Sequence, residues 1–288
     1  PKCYGACSPP RTEPTRAIEW THRLLAAILI AVLAALLLAA WMRRAETGVG
    51  GRGGVLRMAA FATALVLATA LFGAVTVKLG NVPYATAGHW LLATLLIAAL
   101  AATVIRAGGF GGWSARVQPA SARIARSAYA AAGITLAAVM LGGLTAKVPG
   151  ANVACQGFPL CRGEVITAGG ALHIHVAHRV VALLLLLHVV GMLMASRKRR
   201  EAPVVVSALR TTLALIVVQI LLAAAMLEMQ LPAHLRSLHQ AVGVAVWLSA
   251  FTLAYLARIA SGASAISAAS KSDAPNVLPQ GVANGVSM

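Results

Sequence analysis

The chain has 288 residues, of which 59% are hydrophobic and 11% charged, with a formal net charge of +17. Soluble domains carry about 45–50% apolar and about 25% charged residues, so this composition excludes an ordinary soluble domain and indicates a polytopic membrane protein. In a soluble chain such positive charge would suggest nucleic acid. Here the basic residues sit in short loops between apolar runs, so they report topology and imply no nucleic-acid partner.

A span of the hydrocarbon core needs about 20 mostly apolar residues. Seven runs qualify: 24–42, 58–77, 86–105, 128–144, 175–195, 205–227 and 238–256. All are expected to be helices, because unpaired backbone groups are too costly in lipid. Arg43, Arg44, Arg52 and Arg57 follow the first run, Arg106, Arg116, Arg123 and Arg126 flank the third-to-fourth connection, and Arg197 to Arg200 follow the fifth. The other connections carry little: Lys78, then Lys147 and Arg162, then Arg236. The positive-inside rule places the arginine-rich loops in the cytoplasm. The cysteine-bearing segments, Cys3, Cys7 and the stretch Cys155–Cys161, then face outward, where disulfides persist. Four cysteines allow three pairings. Cys155 and Cys161, with Gly157 and Pro159 between them, suit a short disulfide loop, and no His or Cys cluster completes a zinc site around them. The segment 261–288, rich in Ser, Ala, Gly and Pro, is expected to be a disordered cytoplasmic tail.

The chain also repeats itself. Ile18-Glu19-Trp20-Thr21-His22-Arg23 aligns without gaps on Ile174-His175-Val176-Ala177-His178-Arg179, at a constant offset of 156, and each stretch opens an apolar run. Each half has a second histidine downstream, His89 after 67 residues and His239 after 61. The fold expected is therefore all-α, with two pseudo-symmetric four-helix bundles. Residues 1–107 form the first half, 108–126 a cytoplasmic linker and 127–260 the second half. The helix 128–144 that precedes the cysteine loop of the second half has no counterpart in the first, so seven spans are present where the repeat implies eight. By the repeat Cys3 corresponds to Cys161; its natural partner would lie upstream of Pro1, and Cys7 stands as a substitute.

Haem iron held by two imidazoles needs histidines on different helices, at one depth, facing one cavity. His22 with His89, and His178 with His239, meet that description, because each pair starts runs that travel in the same direction. His175 competes with His178 as ligand, though the repeat favours His178. His188, mid-helix and without a counterpart, reads as a structural histidine. Arg23 and Arg179 follow the ligand candidates and suit haem propionates through bidentate hydrogen bonds, or serve as interfacial arginines. Glu19 breaks the symmetry, since His175 stands at its place in the second half. A carboxylate there is a candidate general base or a residue favoured by the helix N-terminus.

Taken together, Ile18-Glu19-Trp20-Thr21-His22-Arg23-Leu24, Gly142-Gly143-Leu144-Thr145, the 155–163 loop, Ile174–Arg179 and Leu238-His239-Gln240 resemble the haem A synthase family over the chain to about Ala260. The resemblance implies an integral membrane enzyme of the bacterial plasma membrane, with its C-terminus in the cytoplasm, that oxidises the ring D methyl of haem O to the formyl group of haem A for terminal oxidases. It implies that His22 and His89 bind the substrate haem, with Glu19 beside the reacting edge. It likewise implies that His178 and His239 hold the iron of a permanent haem b. In the family the formyl oxygen is thought to come from water. The partners implied are haem O, the lipid bilayer, a haem O synthase and an electron acceptor. The outward cysteines would form a stabilising disulfide or a redox pair. The leading helix and first cysteine depart from the pattern, and Cys7 is an added thiol. The alternative is a di-haem cytochrome b-type electron carrier; a repeat-built transporter fits less well, because the polar residues cluster at the outer ends rather than the midplane.

Overall fold

The computed structural model describes residues 14–51, 53–162 and 169–272. Every apolar run is helical, and no strand occurs among the described residues. The seven long helices are α1 (Pro14–Met42), α2 (Val55–Lys78), α3 (Pro83–Arg106), α5 (Ala122–Lys147), α6 (Gly170–Arg199), α7 (Pro203–Glu228) and α8 (Ala233–Ser272), with a short α4 (Gly112–Val117). All seven are long and apolar enough to cross a membrane, which makes the chain a multi-pass helical membrane protein. The helices outrun their apolar cores because polar residues end them. Pro83 and Pro203 occupy first-turn positions, where a missing N–H costs nothing. Lys78, Arg106, Lys147 and Arg197–Arg199 fill last turns, where the helix dipole favours positive charge. Helix α8 runs on to Ser272, twelve residues into the segment expected to be a tail. Its alanines have high helix propensity and no proline interrupts them. Residues 273–288 lie outside the described residues, as do Cys3 and Cys7.

Helices α5 to α8 form a closed ring in which α5 packs on α6 and α8, and α7 packs on α6 and α8. Helices α1, α2 and α3 form a row, and α3 joins it to the ring by packing on α5 and α8. The ring core is built of alanines and β-branched or leucine residues, among them Ala128, Ala131, Val205, Leu209, Leu253 and Ala257, all fully buried. Between membrane helices the hydrophobic effect is weak, so close approach of small residues supplies the attraction. One hydrogen bond crosses the join inside the apolar zone, from Trp247 Nε1 to the Thr94 carbonyl (2.8 Å).

The linker end is held by polar contacts. Arg106 donates to Tyr255 Oη (2.6 Å) and to the Gly54 carbonyl (3.0 Å), and Arg116 donates to the Arg106 carbonyl (2.7 Å). Buried Glu201, in the α6–α7 turn, accepts from the Ser121 amide (2.9 Å) and the Ser121 hydroxyl, while the Ser121 hydroxyl caps α5 by accepting from the Ile124 amide (3.2 Å). The 108–126 segment is thus partly helical and docked rather than a free linker. Hydrogen bonds to a charged group contribute about 1.5–3 kcal/mol each. Glu201→Ala is expected to lower stability by about 2 kcal/mol or more, read as a lower thermal unfolding midpoint in detergent. Glu201→Gln, which keeps an acceptor for the Ser121 hydroxyl, should lose less.

Candidate haem-binding sites

The helices alternate in direction, so α1, α3, α6 and α8 all begin at the same end of the molecule as the 148–162 segment. His22 and His178 lie in the third turns of α1 and α6, and His89 and His239 in the second turns of α3 and α8. In both halves the two histidine-bearing helices do not pack on one another: α2 separates α1 from α3, and α5 and α7 separate α6 from α8. A flat group gripped from both faces needs such a gap.

In the first half the rings of His22 and His89 stand 6.5 Å apart between centroids, at an interplanar angle of 80°. Two metal–nitrogen bonds of about 2 Å, with about 1.1 Å from each nitrogen to its ring centre, give a separation of about 6.3 Å. The observed spacing therefore fits one iron between the rings, and crossed planes are allowed because each ring can turn about the bond axis. His22 is exposed, whereas His89 is half-buried with its Nδ1 enclosed and without a partner. The Thr69 carbonyl lies near that ring but outside hydrogen-bonding geometry. Glycine at residue 73 gives the ring room: a Cβ there would lie 3.0 Å from His89 Cε1 and would press on the ring.

The second half seats its histidines differently. His178 Nδ1 donates to the Ala138 carbonyl of α5 (3.0 Å). Ala138 lies one turn before Gly142, and a Cβ on Gly142 would stand 2.9 Å from His178 Cε1, so this glycine opens the side of α5 on which that carbonyl is reached. The donated Nδ1–H leaves the lone pair on Nε2, the arrangement in which an imidazole can bind a metal while its other nitrogen is fixed. His239 lies within electrostatic reach of His178. Gln219 of α7 donates from its Nε2 to the His239 carbonyl (2.9 Å) and stands 3.2 Å from the His239 ring Nε2. His239 Nδ1 and Gln219 Oε1 are buried without partners. Buried polar groups are nearly always paired, so the same ring nitrogen, Nδ1, left without a partner in His89 and in His239 marks matching places in the two halves. The two halves meet beside these histidines: Trp90, next to His89, packs against Gly143, next to Gly142, where a Cβ would lie 2.3 Å from Trp90 Cζ3.

The remaining candidates have defined partners. Glu19 pairs with Arg23 one turn on, so this arginine is engaged by a carboxylate of its own helix. His175, the counterpart of Glu19, is buried and donates from Nδ1 to the Ala151 carbonyl (2.7 Å). Arg179 donates to the Cys155 carbonyl (2.6 Å) and the Pro159 carbonyl (3.2 Å). Arg179 therefore anchors the loop that the Cys155–Cys161 disulfide closes, and His175 the segment just before it, although Arg179 keeps further donors of its five. His173 Nδ1 donates to the Gly169 carbonyl (2.7 Å), and His188 Nε2 donates to the Ser127 carbonyl of α5 (2.9 Å). Bonding between helices is the structural part expected of His188. The surface clefts near Pro119–Glu201 and Gly191–Arg199 lie at the other end of the molecule and contain no histidine. No cluster of three or more His, Cys, Asp or Glu able to hold a metal occurs among the described residues.

Sequence reasoning did not find Gly73, the Ala138 carbonyl or Gln219. Gln219 had a visible signal, since it is the polar carboxamide within the otherwise apolar stretch 213–227, and polar groups inside membrane helices are costly enough to need a reason.

Residues 8–251 match the family model described as cytochrome oxidase assembly protein. The chain is 28% identical over 199 residues to a protein of Alkalihalophilus pseudofirmus named heme A synthase, covering 66% of this chain and 62% of that one. It is 29% identical over 200 residues to the heme A synthase of Halalkalibacterium halodurans, with the same coverage of 66% and 62%. The chain thus spans about three-fifths of the length of the curated relatives it matches.

Gly142→Ala is expected to push the His178 ring off the Ala138 carbonyl and lower the haem retained through purification, measured by pyridine haemochrome. Gly191→Ala is the control: a Cβ there meets open space, so helix propensity alone should leave stability equal or up to about 1 kcal/mol higher.

Proposed function

Because the chain belongs to the cytochrome oxidase assembly protein family, we propose that it is a haem A synthase, oxidising the ring D methyl of haem O to the formyl group of haem A. The observation that carries this reading is the pair of imidazoles 6.5 Å apart in the first half, with a carboxylate, Glu19, one turn before His22. Replacing a methyl by a formyl group with oxygen from water releases four electrons and four protons. The protein must therefore hold the methyl edge, admit and orient water, accept protons and give electrons a way out.

Residues 1–107 take the substrate haem, with His22 and His89 on its iron. The exposure of His22 suits a ligand that must bind and let go. Glu19 orients water and receives its proton, and Arg23 holds the carboxylate in place. In the second half His178 and His239 hold a haem b, which supplies one-electron chemistry when bound. The contact of Trp90 with Gly143 supports two haem sites side by side, which would give electrons a short route on their way to an acceptor outside the chain. Arg179 and His175 tie the disulfide loop over the mouth of the second site, and Arg179 keeps donors for a propionate. The arginine-rich connections at the linker end are cytoplasmic, so the four histidines, the disulfide loop and the 229–232 turn lie toward the outer face.

The Glu19–Arg23 pair also favours a second reading, a di-haem electron carrier in which Glu19 is only an ion-pair partner on α1. The two are separated by co-expression with a haem O synthase in cells lacking haem A. The enzyme reading expects haem A in extracted pigments, and a Glu19→Gln variant that keeps its bound haem while haem A falls at least tenfold. Undiminished haem A from that variant would remove Glu19 from the chemistry, and absence of haem A with wild-type protein would favour the carrier.

A further inference from the structure

The two halves hold their second histidine in different ways. His239 and His89 are equivalent at an offset of 150, and the same offset takes Gln219 to Thr69. Thr69 spends its hydroxyl on its own helix, donating to the Leu65 carbonyl (2.7 Å). Gln219 instead reaches across to α8, and Gly243, where a Cβ would stand 3.2 Å from the Gln219 nitrogen, leaves it room.

The orientation of the Gln219 carboxamide follows from its partners. A backbone carbonyl can only accept, so the atom 2.9 Å from the His239 oxygen is the NH2 group. That group also faces the His239 ring at 3.2 Å. An N–H aimed at an imidazole nitrogen requires the lone pair there, because the other tautomer would set two donors against each other. His239 thus carries its proton on Nδ1 and its lone pair on Nε2. The arrangement leaves Nδ1–H and Gln219 Oε1 buried without partners among the described residues, so it is not the outcome of local satisfaction alone.

We propose that Gln219 is a positioning residue that presets His239 as the Nδ1–H tautomer and presents its Nε2 to the iron of the haem held in the second half. His178 is preset to the same tautomer by another device, the Ala138 carbonyl uncovered by Gly142. Both Nε2 atoms therefore bear lone pairs before any haem arrives. With a haem bound on His239 Nε2, Gln219 would give up its contact with the ring and keep its bond to the His239 carbonyl. Among the described residues neither His22 nor His89 has a side-chain hydrogen bond that would preset it. The asymmetry makes the second half the retaining site and the first the exchanging one. It rests on the reading above that a resident haem sits on His178 and His239.

The test uses the full chain, purified haem-free in detergent with 15N-labelled histidine. The His239 resonances, assigned by their loss in His239→Ala, should show an unprotonated Nε2 and a protonated Nδ1; a protonated Nε2 overturns the proposal without any further variant. Haemin is then titrated into the wild type, Gln219→Leu and Gln219→Glu. The carboxylate only accepts, so Gln219→Glu favours the wrong tautomer and should weaken haemin binding about tenfold, whereas Gln219→Leu should cost about threefold. Equal affinities in all three forms also overturn the proposal. If His178→Ala and His239→Ala keep full haemin binding while His22→Ala abolishes it, the assignment of the resident haem fails, and the tautomer measurement still stands or falls by itself.

Discussion

In a hydrocarbon environment a ring nitrogen has no water to turn to, so each must find a backbone group, another side chain or a ligand. That constraint orders the histidines of this protein. His175 and His188 are spent on carbonyls of the 148–155 loop and of α5. His178 has one nitrogen spent on α5 and one left over. His89 and His239 each keep a buried nitrogen with nothing to meet it. What distinguishes a bridging histidine from a ligand candidate is which of its nitrogens the helices around it have left free.

The histidine-bearing helices are kept from packing on one another by how the helices are spaced. Helix α6 and helix α8 are held apart by α5 and α7, and α1 and α3 by α2. Glycines then let two rings sink against neighbouring helices, at Gly73 for His89 and at Gly142 for His178. Alanine-rich packing of the ring α5–α8 keeps those spacings fixed. The disulfide loop, pinned by His175 and Arg179, covers the same end. Packing, gap and ligand geometry are therefore one arrangement, and a methyl group added at Gly142 alters all of it.

Duplication with divergence explains why the halves look alike from a distance and differ at the site. The ligand positions match across the repeat, but Glu19 stands where the other half has a loop-anchoring His175, and Thr69 where the other half has Gln219. Each exchange replaces a group that fixes something in the second half by one that leaves it loose in the first. The proposed division into a retaining and an exchanging haem site would need that difference in stiffness.

Apolar runs of about 20 residues determine helices in lipid whatever surrounds them, so the seven spans, the connections between them and the alternation of charge were legible from the chain alone. The gapless repeat around His22 and His178 likewise exposed the four ligand candidates, because identity and spacing are properties of sequence. The anchoring parts of His175 and Arg179 and the contact of Gln219 with His239 were not legible. Each depends on which face of a helix meets which neighbour, and in runs apolar on all sides no periodicity marks that face. The extent of α8 to Ser272 escaped for a related reason: a Ser- and Ala-rich stretch reads as tail by composition, while its helix propensity shows only once a helix is already nucleated ahead of it. Local chemistry determined the elements and the candidates; packing between helices decided which nitrogens were free.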